Sequence, residues 1–241
     1  MLVAAAVCPA PPLLVPEVAA GAAAELGQAR TACSDALAVL AASRPDLLVV
    51  VGTADENHLG PYPQGARGTF RGFGVETDVR LGEEGVGGKP DGGPRPLPSS
   101  LAVGAWLLQR ARWGAAPVEG LGTDERLDTS RCLDTGRELA ARAARVALLV
   151  MGDGSACRSL KAPGYLDERA AAFDAAAARA LGAADVAALA ALDAELAHEL
   201  QAAGRAPWQV LAGAAEGADL DGRLLYEDAP YGVGYFVAAW S

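Results

Sequence analysis

A turn in the second half of the chain carries an acid and a hydroxyl between small residues. The turn Gly152-Asp153-Gly154-Ser155-Ala156 follows the strongly apolar run 146–151 and precedes a helical stretch. Loops that leave the carboxyl ends of strands are where open α/β sheets bind ligands, so Asp153 and Ser155 are candidate catalytic residues. The turn lacks the Gly-x-Ser-x-Gly spacing of a nucleophile elbow, and no histidine is near in sequence. A structural turn hydroxyl is therefore the favoured interpretation of Ser155.

Cysteines and acids elsewhere offer two further kinds of chemistry. Cys157 follows the turn and is a candidate nucleophile, particularly if Cys8 converges with it at the edge of the sheet, although buried inert thiols are commoner. Asp153 and Asp228, with Glu227 beside the latter, are oxygen ligands of the kind that Mg²⁺ and Ca²⁺ prefer. The alternative for these acids is hydrogen bonding to loop amides.

The chain contains two histidines, His58 and His198. His58 follows a predicted strand, close to Asp55 and Glu56, and is a candidate metal ligand together with Asp228. A lone imidazole rarely makes a metal site, so a solvated loop histidine is the favoured interpretation. His198 lies opposite the apolar stripe of its predicted helix and is expected to face solvent.

The elements that must position these residues are short apolar runs alternating with helical patterns. This alternation predicts one α/β domain over residues 1–241, a three-layer α/β/α sandwich with a mixed, mostly parallel central sheet. Eleven Gly and six Pro lie between residues 60 and 98, and 82–98 is predicted to be a flexible surface loop. The predicted strands are 2–7, 46–51, one within 73–81, 117–121, 146–151, 224–227 and 235–240. The predicted helices are 22–42, 99–113, 131–144, 167–181, 185–203 and a short one around 208–211.

Composition argues against several classes of function. The formal charge of -10 and a pI near 4.7 disfavour nucleic-acid and anionic-membrane partners, which require clustered basic residues. No stretch reaches the roughly 18 apolar residues of a membrane span. Four cysteines without Cys-x-x-Cys spacing favour reduced thiols in the cytoplasm over a zinc site or a disulfide framework. A small-molecule ligand and a homo-oligomer both stay open.

Four segments, in order along the chain, resemble the class III extradiol ring-cleavage dioxygenases, including their Memo-like branch. Residues 8–17, CPAPPLLVPE, resemble a Pro-His-Pro-Pro turn followed by Leu-Ile-Val-Pro-Glu. Residues 51–54, VGTA, stand in the place of a Ser-Pro-His motif, and residues 152–156 resemble Gly-Asp-Leu-Ser-His. Residues 228–235, DAPYGVGY, are similar to the closing Glu-x-Pro-Phe-Gly-Val-Gly-Tyr, the most specific of the four.

The resemblance implies a site whose chemical groups are mostly missing here. Family members hold Fe(II) with two histidines and a carboxylate, and a further histidine acts as acid and base. The ligand histidines correspond to Ala10 and Ala54, the acid/base histidine to Ala156, and the carboxylate to Asp228. Because a methyl group offers neither a lone pair nor a proton, we expect no iron cofactor.

The sequence therefore leads to a hypothesis of a degenerate dioxygenase-like protein. In this hypothesis the chain has lost Fe(II)-dependent ring cleavage and keeps the pocket for binding or scaffolding. The alternative is an oxidoreductase or other enzyme with altered chemistry in the same pocket, using some of the candidates named above. A third hypothesis is a subunit of a two-component enzyme whose partner supplies the missing groups.

Overall fold

The computed structural model describes residues 1–83 and 95–241. The described strands are β1 (Leu2–Cys8), β2 (Leu47–Thr53), β3 (Gly60–Tyr62), β4 (Arg67–Thr69), β5 (Asp78–Arg80), β6 (Val118–Thr123), β7 (Val146–Met151), β8 (Gly222–Asp228) and β9 (Tyr235–Trp240). The described helices are α1 (Pro16–Ala19), α2 (Gly27–Ala42), α3 (Ser99–Arg110), α4 (Thr129–Ala140), α5 (Ala170–Gly182), α6 (Val186–Ala190), α7 (Ala194–Glu199) and α8 (Arg205–Ala215). Short 3-10 turns cover Pro12–Leu14, Ala20–Leu26, Glu56–His58 and Arg71–Phe73.

Seven strands form one sheet in the order β3-β6-β2-β7-β1-β9-β8. The four central strands β6, β2, β7 and β1 are parallel to one another, whereas β9 runs antiparallel to both β1 and β8, and β3 antiparallel to β6. The predicted mixed, mostly parallel sheet is confirmed. Since parallel strands end at the same edge, the loops after β1, β2 and β7 lie side by side.

Both faces of the central strands are covered, which explains their continuous apolar sequences. In β7, Ala147, Leu149 and Met151 belong to the core on the side of α2 and α3. The alternate residues Val146, Leu148 and Val150 belong to the core packed by α4 to α8. The result is the predicted three-layer α/β/α sandwich.

Helices α4 and α8 pack backbone against backbone. A Cβ added at Gly213 would lie 2.1 Å from the Leu133 carbonyl oxygen, and one added at Gly136 would lie 2.1 Å from the Val210 carbonyl oxygen. No real Cβ approaches backbone so closely, so each helix requires glycine where it crosses the other.

Within the described residues, no helix is long and apolar enough to cross a membrane.

One predicted helix is wrong, and one predicted strand is shorter than its sequence pattern. The predicted helix 185–203 is two short helices, α6 and α7, because the side chain of Asp193 accepts a hydrogen bond from the Leu196 N–H and begins a new helix. The alternating run 73–81 forms only the three-residue strand β5, and a 3-10 turn ends at Phe73.

The predicted flexible loop 82–98 falls largely on residues 84–94, which lie outside the described residues. The described end of this loop, residues 95–98, is held by hydrogen bonds and side-chain packing. The Arg95 guanidinium donates to the Leu59 and Pro61 carbonyl oxygens and lies 4.3 Å from the centre of the Tyr62 ring. Leu97 is buried, and its N–H donates to the Arg67 carbonyl oxygen at 2.8 Å. Residues 95–98 are thus attached to β3 and β4, and the flexibility of the loop stays a prediction.

The α4–α8 contact gives a prediction for stability. Gly213→Ala adds a methyl group where backbone already lies, and we expect it to lower the free energy of unfolding by about 2–3 kcal/mol, measured by urea denaturation. This loss exceeds the gain of about 1 kcal/mol that alanine normally brings to a helix. Gly114→Ala is the control, since nothing lies within 4 Å of its added Cβ. Equal stability of the two variants would show that α4 and α8 can separate freely.

Candidate functional site

The loops after the central parallel strands meet at the carboxyl edge of the sheet. The Gly152 N–H donates to the Cys8 carbonyl oxygen at 3.0 Å, which joins the ends of β7 and β1. The Ala10 N–H donates to Asp153 Oδ1 at 2.8 Å. Ala10, Ala54 and Asp153 all keep partial exposure. The structure thus places Ala10 and Asp153 in direct contact, and Ala54 follows β2, on the other side of β7 from β1.

Asp153 is the titratable group at the centre of this edge. Burial raises the pKa of its carboxyl to about 7, and the hydrogen bond from the Ala10 N–H opposes part of that rise. Among the described residues, no basic side chain forms an ion pair with it. A carboxyl group with a pKa near neutrality can both accept and donate a proton, which is the property of a general acid or base.

Ser155 serves the turn as a structural hydrogen-bond donor. It is fully buried, and its hydroxyl donates to Asp174 Oδ2 at 2.9 Å while its N–H donates to Asp174 Oδ1 at 2.8 Å. Arg158 Nη1 donates to the same carboxylate at 2.9 Å. Asp174 itself has no exposed surface, and three donors compensate its burial. The partners of Asp174 lie 16 and 19 residues away in the sequence, separations that no local pattern reveals.

The segment between β8 and β9 is bonded to the same turn. The Gly154 N–H donates to the Gly234 carbonyl oxygen at 2.7 Å, and the Gly234 N–H donates to the Ser155 carbonyl oxygen at 2.9 Å. Asp228 is the last residue of β8 and pairs with Tyr235 of β9. It is exposed, and its Oδ1 accepts the N–H of Ala229 at 2.7 Å. Asp228 therefore stands at the rim of the site.

His58 lies on the opposite side of the sheet from Asp228. Its Nδ1 lies 2.7 Å from Asp55 Oδ1, and its carbonyl oxygen accepts the Tyr62 hydroxyl hydrogen bond beside β6. Five strand spacings of about 4.8 Å separate β6 from β8, so the two side chains are out of reach of one another. The described residues contain no group of three or more His, Cys, Asp or Glu side chains arranged to hold a metal ion.

Cys8 and Cys157 do not converge, and both are buried, as the favoured interpretation of inert thiols expects. Cys8 is buried in the core on the side of α2, whereas Cys157 is buried on the opposite face of the sheet. The Cys157 thiol lies 3.5 Å from the Gly164 and Leu200 carbonyl oxygens, and burial raises its pKa. A protonated, buried thiol is a poor nucleophile.

A cluster around His198 was missed by sequence reasoning. Its Nδ1 lies 3.7 Å from Glu125 Oε1, and its Nε2 contacts the Arg126 guanidinium. His198, Glu125, Ala197, Gln201 and Ala202 line a depression of about 350 Å³. Its wall is joined to the Asp153 turn, since the Ala156 N–H donates to the Leu200 carbonyl oxygen. Arg126 and His198 lie 72 residues apart in the sequence, so no local pattern signals the cluster.

The Asp153 carboxyl predicts a pH dependence of stability. Its folded pKa of about 7 exceeds the unfolded value of about 3.9, so the folded state binds more protons between these pH values and loses stability as pH rises through them. The shift sets an upper bound of about 4 kcal/mol, and partial exposure lowers the expected loss to about 2 kcal/mol. Asp153→Asn keeps the acceptor for Ala10 and should remove this loss in urea denaturation at pH 4.5 and 8. An unchanged pH slope would contradict the raised pKa.

The Asp174 network predicts a large structural effect. Asp174→Ala leaves the Ser155 N–H, the Ser155 hydroxyl and the Arg158 guanidinium without their acceptor, and should lower the free energy of unfolding by about 3 kcal/mol or more. Asp35→Ala is the same change at an exposed position of α2 and should stay within about 0.5 kcal/mol of the wild type. Similar losses in both variants would show that the network contributes nothing specific.

Comparison with solved structures reveals a similar fold. An uncharacterized protein from Escherichia coli K12 matches with a TM-score of 0.55 over 99% of each chain, at 16% sequence identity. At that identity the similarity concerns the arrangement of helices and strands alone. The sequence matches no protein-family model and no curated protein.

Proposed function

We propose that this chain is a class III extradiol dioxygenase-like protein that has lost Fe(II)-dependent ring cleavage. Its carboxyl-edge site then serves to bind a small molecule or to scaffold a partner. One observation carries this proposal. At the carboxyl edge the backbone turns are tightly hydrogen-bonded, but the side chains at the positions of the family's histidines are methyl groups. Ala10 and Ala54 stand where the resemblance calls for iron ligands, and Ala156 where it calls for the acid/base histidine.

The contacts of the turns support retention of a built site. A Cβ at Gly152 would lie 2.5 Å from Gly204 Cα, and one at Gly234 would lie 2.5 Å from Asp174 Oδ2. Such close approaches maintain the shape of the turns with no help from a metal. The partial exposure of Ala10, Ala54 and Asp153 leaves their surface open to a ligand. Four free, buried cysteines fit the reducing cytoplasm that we propose as the compartment.

Asp153 favours the second candidate, an enzyme with altered chemistry at the same edge. A partly exposed carboxyl with a pKa of about 7 is suited to proton transfer at neutral pH. The version of this candidate that uses His58 and Asp228 as joint metal ligands is disfavoured by their positions at opposite sides of the sheet. Without a metal, Asp153 would act on a substrate that carries its own leaving group or acidic proton.

Iron loading tests the proposal directly. The purified chain is incubated anaerobically with Fe(II), desalted and assayed for bound iron and for oxygen uptake with catechols. We expect substoichiometric iron and no ring cleavage, because the alanines supply no imidazole. Stoichiometric iron together with turnover would overturn the proposal.

A double variant provides the positive control. Ala10→His with Ala54→His restores two imidazoles at the carboxyl edge, and we expect its iron occupancy to rise above that of the wild type. Ala191→His with Ala203→His adds two histidines elsewhere and controls for nonspecific binding. Equal iron occupancy of both double variants would show that the carboxyl edge has no inherited metal geometry.

A further inference from the structure

Several polar groups at the α2 side of the carboxyl edge lack hydrogen-bond partners. Among the described residues, only the Ala10 N–H donates to the Asp153 carboxyl, through Oδ1. Tyr235 is 3% exposed, and its hydroxyl makes no hydrogen bond within the described part of the chain. The Tyr231 hydroxyl is buried and has no partner at good geometry. The second Asp153 oxygen and the two phenol hydroxyls therefore offer hydrogen-bonding capacity to a ligand at this edge.

These groups belong to one cluster of acids and aromatic rings. Tyr235 follows Gly234, which is bonded to both Gly154 and Ser155 beside Asp153. Across the β8–β9 pair Tyr235 faces Asp228, whose Oδ2 lies 3.5 Å from the Tyr226 hydroxyl. We call this set the tyrosine–acid cluster. Its members are Asp153, Tyr226, Asp228, Tyr231 and Tyr235.

The charges around the cluster are predominantly negative. Asp153 and Asp228 belong to it, and the Glu25 carboxylate lies beside the Tyr231 hydroxyl and raises its pKa. The nearby cation is Arg30, whose guanidinium donates to the Leu14 and Ala23 carbonyl oxygens. Arg30 is thus engaged with the backbone of the preceding turns, and the cluster together with Glu25 contains three carboxyls and three phenol rings.

We propose that the tyrosine–acid cluster binds the ammonium group of a small organic amine. The ammonium donates to the free Oδ2 of Asp153 and to the Tyr235 hydroxyl oxygen, and the phenol faces provide cation–π attraction. Solvent reaches this position past the partly exposed methyl group of Ala10. The proposal deepens the binding role assigned above and rests on it for the location of the site.

The chemistry of the cluster selects the amine over other ligands. A carboxylate or phosphate would meet Asp153, Asp228 and Glu25 and be repelled. A neutral alcohol can donate to Asp153 but gains neither the charge attraction nor the cation–π contact. An ammonium supplies three donors and no acceptor, which matches a set rich in carboxylate and phenol oxygens.

Binding of a cation is coupled to the protonation of Asp153. Burial holds its pKa at about 7, so about half of the molecules carry the proton at pH 7, and an ammonium ligand favours the ionised form. Binding at pH 7 therefore releases up to about half a proton per site. The groups next to Asp153 are the Ala10 N–H after β1 and Tyr235 of β9. Around Tyr235 and its neighbouring phenols lie Tyr226 and Asp228 of β8, Tyr231 of the β8–β9 segment with Glu25, and Arg30 and Cys33 of α2.

Isothermal titration calorimetry with benzylamine tests this proposal, and benzyl alcohol serves as the neutral control of the same shape. We expect benzylamine to bind at least about tenfold more tightly than the alcohol, a difference of about 1.4 kcal/mol. Its enthalpy should differ between phosphate and Tris buffers at pH 7 because of the released proton. Equal affinity for amine and alcohol, or a buffer-independent enthalpy, would overturn the proposal.

Three variants test whether benzylamine binds at the tyrosine–acid cluster. Asp153→Asn preserves the acceptor for Ala10 and should weaken benzylamine binding at least about tenfold and abolish proton release. Tyr235→Phe removes only one hydroxyl and should weaken benzylamine binding about threefold to tenfold. Asp35→Asn removes an exposed charge from α2 and should bind like the wild type. Wild-type affinity in both cluster variants would overturn the site. Iron-dependent ring cleavage would instead overturn the loss of catalysis and leave this result standing.

Discussion

The fold of the carboxyl edge depends on one five-residue turn and its backbone hydrogen bonds. Within residues 152–156, successive N–H and carbonyl groups pair with five other positions of the chain. The partners are Cys8 at the end of β1, Gly164, Leu200 after α7, Gly204 before α8 and Gly234 before β9. A Cβ at Gly152 would lie 2.5 Å from Gly204 Cα and one at Gly154 would lie 2.7 Å from the Phe236 ring, so the glycines are requirements of the crossing. The loops of both helical layers are thereby fixed relative to the sheet.

The same packed turn explains why the pKa of the Asp153 carboxyl is raised. Asp153 cannot turn away from the edge without losing the Ala10 hydrogen bond, and no basic side chain among the described residues pairs with it. Burial without a countercharge raises the pKa of a carboxyl. Below about pH 7 the carboxyl therefore holds a proton.

Sequence patterns predicted the sheet well because each central strand is apolar on both faces. The run 146–151 coincides with β7, and the segment 235–240 coincides with β9. The patterns failed where local side-chain hydrogen bonds competed with periodicity, as when Asp193 began a new helix inside an apolar stripe. Ala10 and Asp153 could be placed at one edge from motif order. The Asp174 network, the opposite burial of Cys8 and Cys157, and the His198 cluster depend on contacts distant in sequence, which no periodicity records.

The crossing of α4 and α8 has a consequence for local unfolding. Because the two helices touch through backbone at Gly136 and Gly213, they cannot slide past one another and must separate together. The segment that begins α8 also donates the Gly204 N–H to the Asp153 carbonyl oxygen. Opening of the helical pair therefore releases the turn at the carboxyl edge. The amide hydrogens of Gly204 and of α4, which are distant in sequence, should therefore exchange as one cooperative unit, and the site then opens and closes with the outer layer of the sandwich.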